Sequence, residues 1–177
     1  MNPYRSFDQM QTNELSVLRH GFFRSWFELT DGQFCYGKLT YINVWRNLVL
    51  LESAQGDWFI KRKSIFSRLF FIQQPQGVTI GTITPGILSR KIDLSMDNDF
   101  KASFITKAFL SRTYTWTNDQ YGDILSITPS LWSFKTPFKI TLELNLLKTI
   151  PALPLLTLLG INLILLRQSQ AAAAGVH

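Results

Sequence analysis

The sequence predicts a mainly β protein: a closed β-barrel of about twelve strands, built from three four-stranded units and enclosing a hydrophobic C-terminal α-helix. Three observations lead there. The chain resembles itself at an offset of 44 residues. Its segments between turn signals have the length of ordinary strands. It ends in an apolar stretch with no charge between Lys148 and Arg167.

The repeat is anchored by Arg24, Arg68 and Arg112, preceded two residues earlier by Phe22, Phe66 and Leu110. Leu39-Thr40, Ile83-Thr84 and Ile127-Thr128 keep the same offset, and glycines 32, 77 and 122 keep it to within one residue. Arg46 and Leu48 match Arg90 and Ile92. The third unit slips there: its Lys139-Ile140-Thr141-Leu142 matches Lys91-Ile92-Asp93-Leu94 only after a four-residue insertion.

Within the middle unit the four strands read as Trp58–Arg62, Arg68–Gln73, Val78–Ile83 and Arg90–Met96. Gln74-Pro75-Gln76-Gly77 and Thr84-Pro85-Gly86 supply the turns between them. Asn118-Asp119-Gln120-Tyr121-Gly122 is the corresponding hairpin of the third unit, and Thr128-Pro129-Ser130 its next corner. Three such units give twelve strands. Fourteen Phe, five Trp and five Tyr suit strands and a packed core.

The C-terminal run reads as a helix over about residues 152–172. Pro151 and Pro154 fall in its first turn, where proline is tolerated. The stretch Leu155–Leu166 is apolar all round, so it must be wrapped by protein or by lipid. Its uncharged length is at the bottom of the range for a membrane span. A twelve-stranded barrel leaves an interior about as wide as a helix, which favours burial as a plug. Asn162 in such a plug needs an inward strand group or a trapped water as partner. Residues 1–13 read as a flexible N-terminal arm, and 14–177 as one barrel domain.

Trp58-Phe59-Ile60-Lys61-Arg62-Lys63, Phe70-Phe71-Ile72 and Gly77-Val78-Thr79-Ile80-Gly81-Thr82-Ile83 resemble the middle of the tubby C-terminal-like superfamily. The LURP-one-related proteins and the phospholipid scramblases are its nearer branches. The resemblance spans about Leu15 to Arg167 and implies a twelve-stranded barrel around a hydrophobic helix. It does not carry calcium-dependent scrambling. No acidic loop precedes the helix, Cys35 stands alone, and Asp97-Asn98-Asp99 lacks calcium-loop spacing.

The net charge is +6. From Trp58 to Lys91 there are six basic residues and no acidic one, an anion-facing pattern. Lys61, Arg62, Lys63, Arg90 and Lys91 are the candidate lipid-binding residues. No nucleophile–base motif, Walker loop or dinucleotide fingerprint is present. Two His and one Cys make a poor zinc set, so neither metal nor cofactor is expected. His20 reads as a plain surface histidine, and Asp119 and Asp123 as turn residues.

The function expected is a non-enzymatic binding module, touching anionic lipids through a basic face. A protein partner is open, and nucleic acid is disfavoured because the aromatics serve the core. One cysteine and no secretory h-region fit a cytoplasmic or membrane-associated location. The alternative is a tail-anchored protein, with Ile150–Leu166 in the bilayer and a cytosolic β domain.

Overall fold

The computed structural model describes residues 3–21, 25–43, 47–64, 66–85, 91–106, 112–130, 133–150 and 152–175. Twelve strands form one closed antiparallel barrel in which each strand pairs with its sequence neighbours and β1 closes on β12. They are β1 (Glu14–His20), β2 (Trp26–Thr30), β3 (Cys35–Asn43), β4 (Leu48–Ser53), β5 (Gly56–Arg62), β6 (Phe70–Gln73), β7 (Thr79–Pro85), β8 (Lys91–Met96), β9 (Lys101–Thr106), β10 (Tyr114–Asn118), β11 (Gly122–Pro129) and β12 (Phe138–Leu142). A single α-helix, α1 (Leu153–Ala174), follows.

Alternation along each strand decides which side chains face inward. Val49, Leu51 and Ser53 of β4, Ile92 and Leu94 of β8, and Phe138, Ile140 and Leu142 of β12 are buried, with more exposed residues between them. Twelve strands 4.8 Å apart, tilted by about 40°, enclose a barrel about 24 Å across between backbones. Inward side chains alone leave its axis open. The helix fills it: every residue from Leu153 to Ile164 is buried.

Two glycines set how closely helix and wall approach. A Cβ on Gly160 would lie 2.6 Å from Ile127 Cδ1, 2.9 Å from Trp116 Nε1 and 3.3 Å from Phe104 Cε2. A Cβ on Gly37 of β3 would meet the Glu52 carbonyl oxygen at 2.7 Å and Leu158 Cδ1 at 3.1 Å. The closest approach to Gly160 is made by side chains of the wall, Ile127 first and then the Trp116 indole.

The triplication is visible as geometry. Pairing registers shift at equivalent places in the three units, Leu29/Thr30, Ile72/Gln73 and Trp116/Thr117, and the first unit has a further shift at Tyr41/Asn43. The turn glycines Gly32, Gly77 and Gly122 all have positive φ, at 95°, 85° and 68°. The topology also divides the repeat further than the sequence reading did. Each unit is two hairpins, and Arg24, Arg46, Arg68, Arg90 and Arg112 recur at steps of 22 residues. The extra residues of the third unit fall in the β11–β12 connection, so Lys139–Leu142 lies in β12 as its match Lys91–Leu94 lies in β8.

Three expectations need correction. The N-terminal segment is not a free arm: a 3-10 turn at Phe7–Gln9 seats Phe7 and Met10 in the core. The Arg5 amide donates to the Cys35 carbonyl at 2.8 Å, and Gln55 Nε2 donates to Ser6 Oγ at 2.7 Å. Thr84-Pro85 and Thr128-Pro129 end strands instead of making corners; Pro85 pairs with Ile92 and Pro129 with Phe138. Proline is compatible with a strand terminus because no further ladder bond is required of it. His20 is half-buried: its ring stacks on Trp26 with centroids 4.0 Å apart. Its Nε2 lies 2.9 Å from Glu28 Oε2, without hydrogen-bond alignment.

Candidate functional site

Strict antiparallel order sends every odd-to-even connection to one end of the barrel and every even-to-odd turn to the other. The helix starts at the even-to-odd end, after β12, and leaves through the odd-to-even end. There Gln168–Ala174 is exposed.

The two ends differ sharply in charge. The six odd-to-even connections, 21–25, 44–47, 63–69, 86–90, 107–113 and 130–137, contain eight Lys and Arg and no acidic residue. The five even-to-odd turns, 31–34, 54–55, 74–78, 97–100 and 119–121, contain four Asp and no basic residue. By sequence these connections give one end a basic rim, where the helix exits, and the other an acidic one. The structure describes Lys63, Arg68, Arg112 and Lys135 of the eight cations, and at the acidic end the Arg5 guanidinium carbon lies 3.9 Å over the Phe34 ring.

The acidic rim has a structural reason. Asp31 Oδ1 accepts from the Gln33 and Phe34 amides at 2.9 and 2.8 Å, and Oδ2 accepts from the Tyr36 hydroxyl at 2.7 Å. Burial pushes the Asp31 carboxyl up, but these hydrogen bonds together outweigh it and hold it below the usual aspartate value. Burial, with Asp31 beside it, pushes the Tyr36 hydroxyl up to about 12. Asn118 Oδ1 closes the β10–β11 turn by accepting from the Gln120 and Tyr121 amides at 2.7 and 3.1 Å. Asp119 lies in that turn, as expected from the sequence, whereas Asp123, also expected there, is the second residue of β11. Asp99, at φ 62°, belongs to the β8–β9 turn, and its amide donates to the Met96 carbonyl at 3.1 Å. Among the described residues no group of three His, Cys, Asp or Glu side chains could hold a metal ion.

On the basic rim the side chains of Lys63, Arg68, Arg112 and Lys135 make no ion pair with a described residue. Beside the emerging helix lies a cavity of about 410 Å³, lined by Arg62, Arg68, Arg167, Phe70, Ile92 and Leu163 among others. Arg62 Nε donates to the Ser67 carbonyl at 2.6 Å, which fixes its guanidinium at the mouth. The Arg167 guanidinium carbon lies 5.7 Å from the Tyr114 ring centroid. Among the described residues no carboxylate pairs with these three arginines. Three guanidiniums on one concavity make a positive local field that an anion relieves. A second cavity of about 140 Å³ on the same side is lined by Tyr41, Val49, Phe70, Asn162 and Leu166 among others. Asn162 makes no side-chain hydrogen bond to a described residue. Its amide borders this space, which is large enough for several waters, so water rather than a strand group is its available partner.

Of the five candidate lipid-binding residues, the structure separates the four it describes. Arg62 shares inward parity with Ile60 and lines the cavity; Lys61 and Lys63 are exposed. Lys91 lies on β8 with its Nζ 3.1 Å from Asp93 Oδ1, so part of its charge is answered locally. Arg90 lies outside the described residues. Sequence reasoning counted Arg68 in the basic run without naming it a site residue, and missed Arg167 along with exposed Arg112 and Lys135 on the same rim. The signal that finds the rim is the 22-residue step of the arginines.

No family model, no curated protein and no solved structure matches this chain.

Proposed function

We propose that this protein is a non-enzymatic binding module that docks on anionic lipid surfaces through the basic end of its barrel. Such a role accords with the tubby-like resemblance, and the single half-buried cysteine suits the cytoplasmic face of a membrane. The observation that supports it most is the segregation of charge, eight basic residues against none acidic in the connections of one end. A cation near an anionic leaflet contributes about 1 kcal/mol. Exposed Lys63, Arg68, Arg112 and Lys135 together reach about 4 kcal/mol, in the range of a millimolar dissociation constant. Arg62 and Arg167 add to it. Binding of that size is reversible and sensitive to salt.

Tail anchoring draws on the same apolar helix. An anchor would have to pull Leu153–Ile164 out of the barrel and leave a lumen walled by Leu29, Leu51, Ile72, Phe104 and Ile140 without contents. That cost favours the docking reading. The test is sedimentation with phosphatidylcholine vesicles, with and without phosphatidylserine, at low and high salt. Docking predicts sedimentation only with phosphatidylserine, reduced by salt. Equal partition at both salt concentrations, or sedimentation resistant to carbonate, would sink it.

A further inference from the structure

The same rim carries exposed aromatic side chains that the fold has no use for. Phe66 in the β5–β6 connection is 92% exposed and Phe134 in the β11–β12 connection is 90% exposed. The other exposed large apolar residues among those described are far less open; Phe34 and Val78 on the acidic rim are 43% and 56% exposed. Each open phenylalanine stands beside cations: Phe66 between Lys63 and Arg68, Phe134 next to Lys135.

Their placement narrows what could cover them. In a ring of twelve strands the β5–β6 and β11–β12 connections are six strand steps apart, on opposite sides of the rim. That separates the two side chains by about a barrel diameter, about 24 Å. One groove, helix or peptide does not receive both. A broad planar medium, apolar within and anionic at its surface, does. Aromatic and basic residues together suit that boundary, the ring entering the acyl region while the cation stays among head groups.

The sequence repeats an apolar-then-basic pattern in other connections. Phe22-Phe23-Arg24, Val44-Trp45-Arg46, Ile87-Leu88-Ser89-Arg90 and Phe109-Leu110-Ser111-Arg112 match Ile65-Phe66-Ser67-Arg68. Apart from Arg112, the residues of those four stretches lie outside the described residues.

We infer that the barrel stands end-on upon an anionic bilayer, with Phe66 and Phe134 inserted below the phosphates and the acidic rim turned away. This rests on the docking function proposed above and adds its orientation and its depth.

The test uses the full chain in a Cys35→Ala background, with an environment-sensitive fluorophore on Phe66→Cys, Phe134→Cys or, on the acidic rim, Val78→Cys. Vesicles contain phosphatidylserine and phosphatidylcholine, and sedimentation is read in parallel. The expected result is a blue shift with bound vesicles at 66 and 134 and none at 78. Phe66→Ser and Phe134→Ser should each weaken binding about tenfold, and together about a hundredfold, with unchanged melting because both side chains are already open to solvent. Sedimentation without a shift at 66 and 134 would overturn insertion and leave electrostatic docking standing. A shift at 78 would overturn the orientation. Absence of sedimentation, with retention of a labelled oligonucleotide or a protein instead, would overturn both readings.

Discussion

Gly160→Ala tests how tightly the helix is held by the barrel wall. In an exposed helix this change stabilises by about 1 kcal/mol, because glycine is the poorer helix former. Here the new methyl would sit 2.6 Å from Ile127 Cδ1 and 2.9 Å from Trp116 Nε1. Both partners are fully buried, so neither side chain can swing into solvent. Overpacking of this kind costs about 1–3 kcal/mol. With the propensity gain set against it, the variant should lose up to about 2 kcal/mol. In a chain of this size that lowers the melting temperature by up to roughly 8 °C. Thermal melting by circular dichroism is the assay, and Ile127→Val sharpens it by removing the atom nearest the added methyl. That change alone should cost about 0.5–1.5 kcal/mol. Combined with Gly160→Ala it should cost less than the sum, by at least about 0.5 kcal/mol. A raised melting temperature for Gly160→Ala, or strict additivity in the double variant, would refute the packing of Gly160 against Trp116 and Ile127.

Leu159→Asp places a carboxylate in the fully buried middle of the helix and should abolish soluble expression, whereas deleting Gln168–His177 should be mild. Truncation at Lys148 should also destroy the fold; a soluble product with an unchanged melting temperature would show that the helix is not the core. Burial is the main reason the Cys35 thiol is pushed up to about 11 from 9.0, so iodoacetamide at pH 8 should modify it roughly a hundredfold more slowly than the unfolded chain. Equal rates would contradict its burial. The lowered Asp31 carboxyl contributes stability above its unfolded value, 3.8, and loses it as pH falls through its folded value. Asp31→Asn should therefore flatten the acid limb of a melting-temperature profile and leave its alkaline limb unchanged. Replacing Arg68 and Lys135 with Gln should weaken vesicle binding and its salt dependence together; loss of binding with an unaltered salt slope would contradict a charge-driven dock.

Much of the architecture was legible because it is written in periods. The strands of the middle unit lie within two residues of their expected bounds, since proline, glycine and the switch from alternation mark each end. Helix α1 begins at Leu153 and ends at Ala174 against an expected 152–172, because Pro154 and the uncharged run define its first turns. The seating of Phe7 was not legible: one aromatic residue in a polar segment has no period, and only the finished rim shows the space that it fills. The site was half legible. Lys61, Arg62 and Lys63 stand out as a run, but a run of neighbours alternates across a strand, and only Arg62 reaches the cavity. Arg68 and Arg167 are 99 residues apart in sequence and meet only because the helix threads the barrel and emerges beside the β5–β6 connection. The polarity of the two ends was missed for a similar reason. Net charge averages it away, and it emerges once odd-to-even and even-to-odd connections are counted apart.

Hydrogen exchange of the intact protein, free and bound to phosphatidylserine vesicles, tests the central claim most directly, because it reports which end of the barrel the membrane covers. End-on docking predicts new protection confined to the basic connections, read at 63–64, 66–69 and 133–136, with exchange at 31–34, 97–100 and 119–121 unchanged. Protection at the acidic turns, or no change at the basic connections of protein that has sedimented with vesicles, would contradict it.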